Sequence, residues 1–269
     1  PEAKERLLAA LTVPEAEAKP KPPRRRVDYA SAETIWAALA EETEGAGPNV
    51  RLLRASWVLK LSHVEGARLA RRQDLPEDAF ISLVELKAMY DKSDNRGAGD
   101  GPKYVPVIAL SHFWRTKAHP DPDGVTLAFI GKALEEHMPH YAKCDGHGWA
   151  GASCGKVGYE DMGLFIDWCS LFQEPRDTPA MLSAFKGSLA HINIWYASLL
   201  TTVYFVTDEP AGLVPYHSRG WTTFEYLITW LLQWGHLKPW ETVVFASGEP
   251  RKKNEYDTWE PPSPSDVDS

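Results

Sequence analysis

The chain has 269 residues, 43% of them hydrophobic, which is enough for one good-sized core with or without a smaller appended unit. Its 29 Lys and Arg against 37 Asp and Glu give a formal charge of −8, and this acidic balance argues against binding to nucleic acid, which needs a basic surface. Three cysteines in a chain of this length do not make a disulfide framework, so we expect a reducing compartment such as the cytoplasm.

The two ends of the chain have the composition of tethers. Residues 1–26 run into prolines and basic residues, which predicts an extended arm or linker. Residues 248–269 form an acidic tail rich in Pro and Ser. The basic cluster of the arm could contact an acidic partner, or it could be a solvated tether. The chain starts at Pro1, so an upstream targeting segment could have been removed from it.

Between the arm and a Gly-rich stretch, the pattern predicts helices, and 27–100 is interpreted as a helical N-terminal extension. Ser31 is a candidate N-cap for a helix over 31–44. A second helical unit is expected over 64–90, where a turn that contains Pro76 leads into a new helix.

Residues 104–247 alternate between apolar strands and helices, which predicts an α/β domain with a parallel, doubly wound sheet flanked by helices. The predicted strands cover 104–110, 161–166, 202–207 and 243–245, and the predicted helices cover 125–138, 178–197 and 222–234. In such sheets, ligands bind beyond the carboxyl ends of the strands. Ser111, Asp167 and Asp208 follow the first three strands, so we expect them near one crevice if those strands are neighbours.

The longest uncharged stretch, 188–207, has the length of a membrane span. It contains His191 and Asn193 together with several Ser and Thr residues, and such groups are costly in lipid. We therefore expect a buried helix that runs into a buried strand, and no membrane span.

No metal site is predicted, although two segments contain metal-ligand residue types. Segment 119–124 superficially resembles a calcium loop, but it lacks the further oxygen ligands, and a rigid turn that caps the next helix explains it better. Cys144, His147 and Cys154 share a glycine-rich stretch, at a spacing that matches no zinc signature. Cys169 lies among aromatic residues and is expected to be buried and inert.

Four motifs, in order along the chain, resemble those of the HET (heterokaryon incompatibility) domain. Segment 108–114 is similar to the opening Ala-Leu-Ser-Tyr-x-Trp-Gly motif of the family, and 165–173 is similar to its second motif. Tyr196-Ala197 stands where the family has a Tyr-containing helix end, and 219–225 resembles its closing motif. The resemblance covers about residues 104–235.

The HET domain is itself similar to the TIR fold, so the resemblance implies a parallel, flavodoxin-like sheet. Some TIR domains cleave the nicotinamide–ribose bond of NAD with a Glu on a helix that follows a Trp-containing turn. By that resemblance Glu225 is the catalytic candidate and NAD is a candidate substrate. One carboxylate suits this chemistry, because the bond breaks through an oxocarbenium-like state that a nearby negative charge stabilises. The nicotinamide ring already carries positive charge in NAD, so no strong general acid is needed.

The resemblance also implies a nucleotide crevice lined by Ser111, Arg115, Asp167 and Trp221. Two departures from the family affect this crevice: His112 replaces the usual Tyr, and Arg115 stands where Gly is expected. Arg115 brings a bulky cation to a loop where Gly lets the backbone approach a ligand, although its guanidinium could contact phosphate itself.

Each candidate also has an ordinary structural explanation. Glu225 could face solvent, pair with Arg219 or lie in the crevice. Asp167 could accept backbone hydrogen bonds in a turn instead of recognising a hydroxyl group. Trp221 could pack in the core, which is the default in a chain with 11 tryptophans.

Three functions follow from these patterns. The first is an enzyme that hydrolyses the nicotinamide–ribose bond of NAD. The second is a non-catalytic binding or assembly subunit, which self-associates or joins a protein partner through large apolar residues such as Trp230, Trp234, Trp240 and Trp259. The third is a nucleotide sensor that binds NAD without turnover.

Overall fold

The computed structural model describes residues 27–96, 102–143, 157–208, 216–233, 240 and 242–246. These residues have an α/β fold in which a six-stranded, mostly parallel sheet is flanked by helices, which confirms the predicted fold class. The expected arm over 1–26 and tail over 248–269 lie outside the described residues.

The strands are short, and those at the centre of the sheet are fully buried. A ribbon of β1 (Glu42–Thr43) and β2 (Gly47–Pro48) comes first in the chain. The strands of the main sheet are β3 (Leu52–Arg54), β4 (Phe80–Ile81), β5 (Val107–His112), β6 (Gly163–Phe165), β7 (Thr202–Val206) and β8 (Val243–Phe245). All six residues of β5 are buried, as its continuous apolar run predicts for a strand covered on both faces.

The strand order across the main sheet is β4-β3-β6-β5-β7-β8. The last four of these are parallel to one another. Numbered among themselves along the chain, they have the order 2-1-3-4, which matches a flavodoxin-like sheet. The order places β5 beside β7, although the chain passes through β6 between them. Such a reversal of strand order opens a crevice at the carboxyl ends of the two strands.

The segment 27–100 contains strands as well as helices. Its helices are α1 (Ala32–Ala40), α2 (Ala55–Ser62) and α3 (Leu83–Lys92), but β3 and β4 pair with each other, and β3 pairs with β6, in antiparallel fashion. The sequence did not predict these strands, because two or three residues are too few to display a period. The segment therefore extends the main sheet at one edge.

The remaining helices follow the parallel strands. They are α4 (Val125–Lys143), α5 (Asp167–Ser170), α6 (Pro179–Leu189), α7 (Ile194–Ala197) and α8 (Gly220–Gln233). The single helix predicted over 178–197 is wrong, because the chain makes a turn between α6 and α7. None of the helices in the described ranges combines the length and the apolar character needed to cross a bilayer.

A helical layer covers each face of the sheet, and alternate residues of a strand point to opposite layers. On β5, Ile108 and Leu110 belong to the cluster that contains residues of α2 and α4, whereas Val107 and Ala109 belong to the cluster with α1, α7 and α8. By the same alternation Ser111 points to the α8 face and His112 points to the α4 face.

Candidate active site

A cleft lies at the carboxyl ends of β5 and β7, where the strand order reverses. Its volume is about 150 Å³, below the range of about 300–1,000 Å³ that is typical of sites for drug-sized ligands. It therefore suits one ring or a comparable part of a larger ligand. The lining residues come from β5, the turn after it, the end of β6, α7 and the start of α8: Leu110, His112, Phe113, Trp114, Asp167, Tyr196, Arg219, Trp221, Thr222 and Glu225.

Glu225 projects from the first half of α8 toward the sheet. It is only 2% exposed, and it lines the cleft. The Ser111 hydroxyl, at the end of β5, donates a hydrogen bond of 2.5 Å to Glu225 Oε2. Of the three expected positions for this carboxyl, the structure therefore selects the crevice over the solvent-facing edge.

Buried hydroxyl groups continue the hydrogen-bonding pattern on both sides of Glu225. The Tyr216 hydroxyl bonds to the Ser111 hydroxyl, and Tyr216 is the donor, since Ser111 directs its own hydrogen to Glu225. On the other side, the Tyr196 hydroxyl donates to the Leu110 carbonyl at 3.0 Å and also lies within hydrogen-bonding reach of Glu225. A tyrosine has one hydroxyl hydrogen, so Tyr196 cannot donate to the Leu110 carbonyl and to Glu225 at the same time.

The pKa of Glu225 is far from its ordinary value. Burial raises the pKa of this carboxyl from 4.5 to about 8, because the charged form loses its hydration. The hydrogen bond from Ser111 opposes this rise, the negative charge of Asp167 adds to it, and contacts from Tyr196 and Trp221 oppose it. At neutral pH most of the carboxyl is therefore protonated. Carboxyls whose pKa is moved into this range concentrate at functional sites.

The residues just before Glu225 attach the start of α8 to the cleft. The Thr222 hydroxyl donates to the Tyr216 carbonyl at 2.5 Å, which holds the turn that carries the Tyr216 ring. The Arg219 guanidinium donates to the Trp114 carbonyl at 3.2 Å and lies 5.0 Å from the centre of the Phe113 ring. Thr222 and Arg219 thus position Glu225 through the backbone of two neighbouring turns.

Trp221 lies at the mouth of the cleft. Its side chain lines the cleft and contacts Glu225, yet the residue remains 49% exposed. It is therefore not a core residue. An indole in this position can stack on a flat ligand while its N–H supports the carboxyl below.

Asp167 accepts hydrogen bonds from the protein and also faces the cleft, so both structural and binding roles proposed from the sequence remain compatible with its position. Its Oδ1 accepts the backbone N–H of Trp168 at 2.6 Å, and its Oδ2 accepts the indole N–H of Trp114 at 3.3 Å. The side chain is nevertheless 32% exposed and lines the cleft. The carboxylate is thus oriented by protein donors and still has oxygen lone pairs available to a ligand.

His112 is the cleft residue that lacks a hydrogen-bond partner for a buried polar atom. Its side chain is 2% exposed, and Nε2 has no partner among the described residues. Burial lowers the pKa of the imidazole, against opposing effects of the nearby carboxylates and of a hydrogen bond to Leu110. The ring is therefore neutral at physiological pH.

The two other predicted site residues, Ser111 and Arg115, do not line the cleft. Ser111 is fully buried and lies behind Glu225, so it acts on the carboxyl and not on the cleft surface. Arg115 is paired with Asp208 at 2.8 Å, and its side chain is 8% exposed. The cleft lining does not include Arg115, because this ion pair directs the guanidinium toward the end of β7.

The segments considered for metals have other roles where they are described. Asp121 is fully buried and accepts backbone N–H groups of Leu69, Thr126 and Leu127, so its turn caps α4 as predicted. Cys144, His147 and Cys154 lie outside the described residues. Within the described ranges, no group of three His, Cys, Asp or Glu side chains is arranged to hold a metal ion. Cys169 is buried, as predicted, and burial raises the pKa of its thiol.

Sequence reasoning assigned no role to three residues that complete the site: Tyr196, Tyr216 and His112. A weak signal existed for the tyrosines, since buried Tyr hydroxyls usually find a partner, but the partners themselves are distant in sequence.

No protein-family model, no curated protein and no solved structure matches this chain.

Proposed function

We propose that the cleft binds the nicotinamide end of NAD and that Glu225 assists hydrolysis of the nicotinamide–ribose bond. The observation that carries the proposal is the buried carboxyl of Glu225, which lines a small aromatic cleft at the reversal of strand order. The resemblance of 104–235 to HET and TIR domains supplies the reaction. The position of Glu225 below Trp221 supports it independently of that resemblance.

The raised pKa of Glu225 is compatible with this role, because the ligand itself would change it. A cationic ring about 4 Å from the carboxylate is worth about 4 kcal/mol at an effective dielectric constant of about 20. That energy corresponds to a pKa lower by about three, enough to ionise a carboxyl with a pKa of about 8 at neutral pH. Glu225 would thus acquire its negative charge when the pyridinium ring binds.

The bond then breaks with its electron pair moving to the ring nitrogen, so nicotinamide departs neutral. The ionised Glu225 stabilises the positive charge that develops on the ribose. Water attacks the ribosyl centre, and its proton passes to Glu225, whose high pKa makes it a suitable base. Ser111 and Tyr216 reinforce the carboxylate through the hydroxyl chain behind it.

The test is nicotinamide release from NAD, followed by chromatography, with wild type, Glu225→Gln and a control. Glutamine keeps the acceptor for Ser111 but cannot ionise, so we expect the activity to fall by about 100-fold or more. Glu136→Gln on α4 is the matched control, because Glu136 is exposed and does not line the cleft. Equal release by wild type and Glu225→Gln contradicts the catalytic role. Binding of NAD without release by the wild type indicates the sensor function.

A second candidate function, protein association, is favoured by an apolar stripe on the outside of α8. Trp221, Phe224 and Leu231 share one side of this helix and are 49%, 39% and 77% exposed. Exposed apolar stripes of this kind are typical of interaction surfaces. Trp240, which the sequence suggested for such a surface, is buried in the core; Trp230 is partly buried, and Trp234 and Trp259 lie outside the described residues.

Sedimentation velocity tests the association. If α8 mediates it, Leu231→Glu shifts the distribution to smaller species, whereas Leu182→Glu on α6, a similarly apolar exposed position, leaves the distribution unchanged. A wild-type protein that sediments as a monomer at all concentrations and captures no partner contradicts this second function.

A further inference from the structure

The His112 imidazole offers the cleft a polar atom that the protein does not use. The side chain lines the cleft and is 2% exposed, and Nε2 has no hydrogen-bond partner among the described residues. Buried side-chain polar atoms nearly always have a partner. An unpaired one costs free energy, so a ligand that pairs with Nε2 recovers it.

The bonding of the ring defines what Nε2 can do. His112 donates a hydrogen bond to the Leu110 carbonyl, and since Nε2 has no partner, the donating atom is Nδ1. A neutral imidazole carries one N–H, so Nε2 presents a lone pair. The cleft residue at this position is therefore an acceptor, and it recognises a donor on the ligand.

Asp167 supplies a second acceptor close to the first. Its Oδ1 lies 3.9 Å from His112 Nε2, too far for a direct hydrogen bond but close enough for one small group to contact both atoms. Asp167 is oriented by the N–H groups of Trp168 and Trp114, so the two acceptors form a preorganised pair. A ligand carboxylate would be repelled here, whereas a group with two hydrogens satisfies both acceptors.

We propose that His112 Nε2 and Asp167 Oδ1 form a paired acceptor site for one ligand group that carries two hydrogens on nitrogen or oxygen. At the nicotinamide end of NAD, two groups have this chemistry: the primary carboxamide of nicotinamide and the diol of the adjoining ribose. The choice of these two rests on the proposed NAD function; the acceptor pair rests on the geometry alone. His112 is then a specificity residue, distinct from the catalytic Glu225.

Two substitutions at position 112 distinguish the role of Nε2 as a hydrogen-bond acceptor from a role of the side chain in folding. Asparagine at 112 keeps an N–H near the position of Nδ1, which preserves the bond to the Leu110 carbonyl, but it does not reach the position of Nε2. Glutamine reaches that position with its carbonyl oxygen. We expect His112→Asn to lose the acceptor and His112→Gln to recover part of it, with both variants checked by circular dichroism for a native spectrum.

The probes are nicotinamide, 3-acetylpyridine and ADP-ribose, titrated by NMR against wild type and both variants. If the carboxamide is the donor group, wild type binds nicotinamide about tenfold more tightly than 3-acetylpyridine, whose methyl group replaces NH₂. His112→Asn then binds the two equally. If the diol is the donor group, His112→Asn weakens ADP-ribose binding about tenfold, and nicotinamide binding is unchanged.

A direct readout is the ¹⁵N resonance of Nε2 in wild-type protein, which moves when its lone pair accepts a hydrogen bond. The inference is overturned if neither nicotinamide nor ADP-ribose moves this resonance on binding, or if both bind His112→Asn as tightly as they bind wild type. The absence of binding by all three probes also overturns it. Nicotinamide release from NAD, measured on the same samples, distinguishes the two proposals. Release with His112-independent binding contradicts only the acceptor pair, and His112-dependent binding without release contradicts only the proposed hydrolysis.

Discussion

Replacement of Glu225 by glutamine is expected to change how the stability of the protein depends on pH. In the folded protein, burial raises the pKa of Glu225 to about 8, against its ordinary value of 4.5, which also describes the unfolded chain. Between these two values the folded state holds a proton that the unfolded state has released. Glutamine keeps the size and the acceptor oxygen of the side chain but removes the titration.

The sign and the size of the effect follow from proton linkage. Because the folded state binds more protons, the stabilising contribution of protonated Glu225 is fully present below pH 4.5 and is lost as pH rises through about 8. The loss approaches about 1.4 kcal/mol per pH unit in the middle of this window and amounts to about 2.5 kcal/mol between pH 5.5 and pH 7.5. Glu225→Gln should not show this loss.

The measurement is urea unfolding of wild type and Glu225→Gln at several pH values across this window. Other groups titrate as well, including the buried His112, so the informative quantity is the difference in unfolding free energy between the two proteins at each pH. We expect the glutamine variant to gain on wild type steadily as pH rises. A difference that stays constant from pH 5.5 to pH 7.5 would refute a strongly raised pKa for Glu225.

Three further predictions concern the pH dependence of the reaction and the stability that two buried charged side chains, Arg72 and Asp121, contribute through hydrogen bonds to the backbone. If Glu225 acts on NAD in its ionised form, kcat/KM for nicotinamide release should rise about tenfold per pH unit and level off above pH 8, where free Glu225 titrates; a profile that is flat through neutrality argues against the role. Arg72→Met should lower the unfolding free energy by about 3 kcal/mol, because the backbone carbonyls of Pro48, Asn49 and Ser170 each lose a guanidinium donor. The control Arg71→Met removes only a partly exposed ion pair with Asp74 and a peripheral carbonyl contact, and it should cost about 1 kcal/mol or less. Equal losses of unfolding free energy in the two variants, measured by urea unfolding, would contradict the stabilising role of the buried Arg72 contacts. Asp121→Ala should cost about 2 kcal/mol through three lost backbone contacts to a buried carboxylate, whereas Asp123→Ala, at an exposed position with one such contact, should change the melting temperature little.

The apolar patterns of the sequence were sufficient to predict the central elements of the fold. β5 and α8 were expected from a continuous apolar run and from helical spacing, and both lie close to the predicted bounds. Those patterns report burial along one segment at a time. They could not predict the pairing of β3 and β4, since such short strands form only where a partner edge is already present.

The candidate site was predictable in part. Chain position placed Ser111 and Asp167 at strand ends, and the closing motif singled out Glu225; in the fold, all three lie at or directly behind one cleft. Arg115 was expected in the same crevice, but the sequence contained no sign of its ion pair with Asp208. A charged side chain is directed by its partner, and that partner comes from a different strand.

The sequence by itself determined that this chain forms an α/β sheet and that an acid, Glu225, follows Trp221 in the segment that becomes α8. Only the tertiary structure decided the order β6-β5-β7-β8, which brings the end of β5 against α8, and the protonation state of Glu225. Ser111 and Glu225 are 114 residues apart in the chain, so their contact depends on long-range packing. The pKa of Glu225 follows from the same packing, because desolvation is a property of what surrounds the carboxyl and not of the segment that carries it.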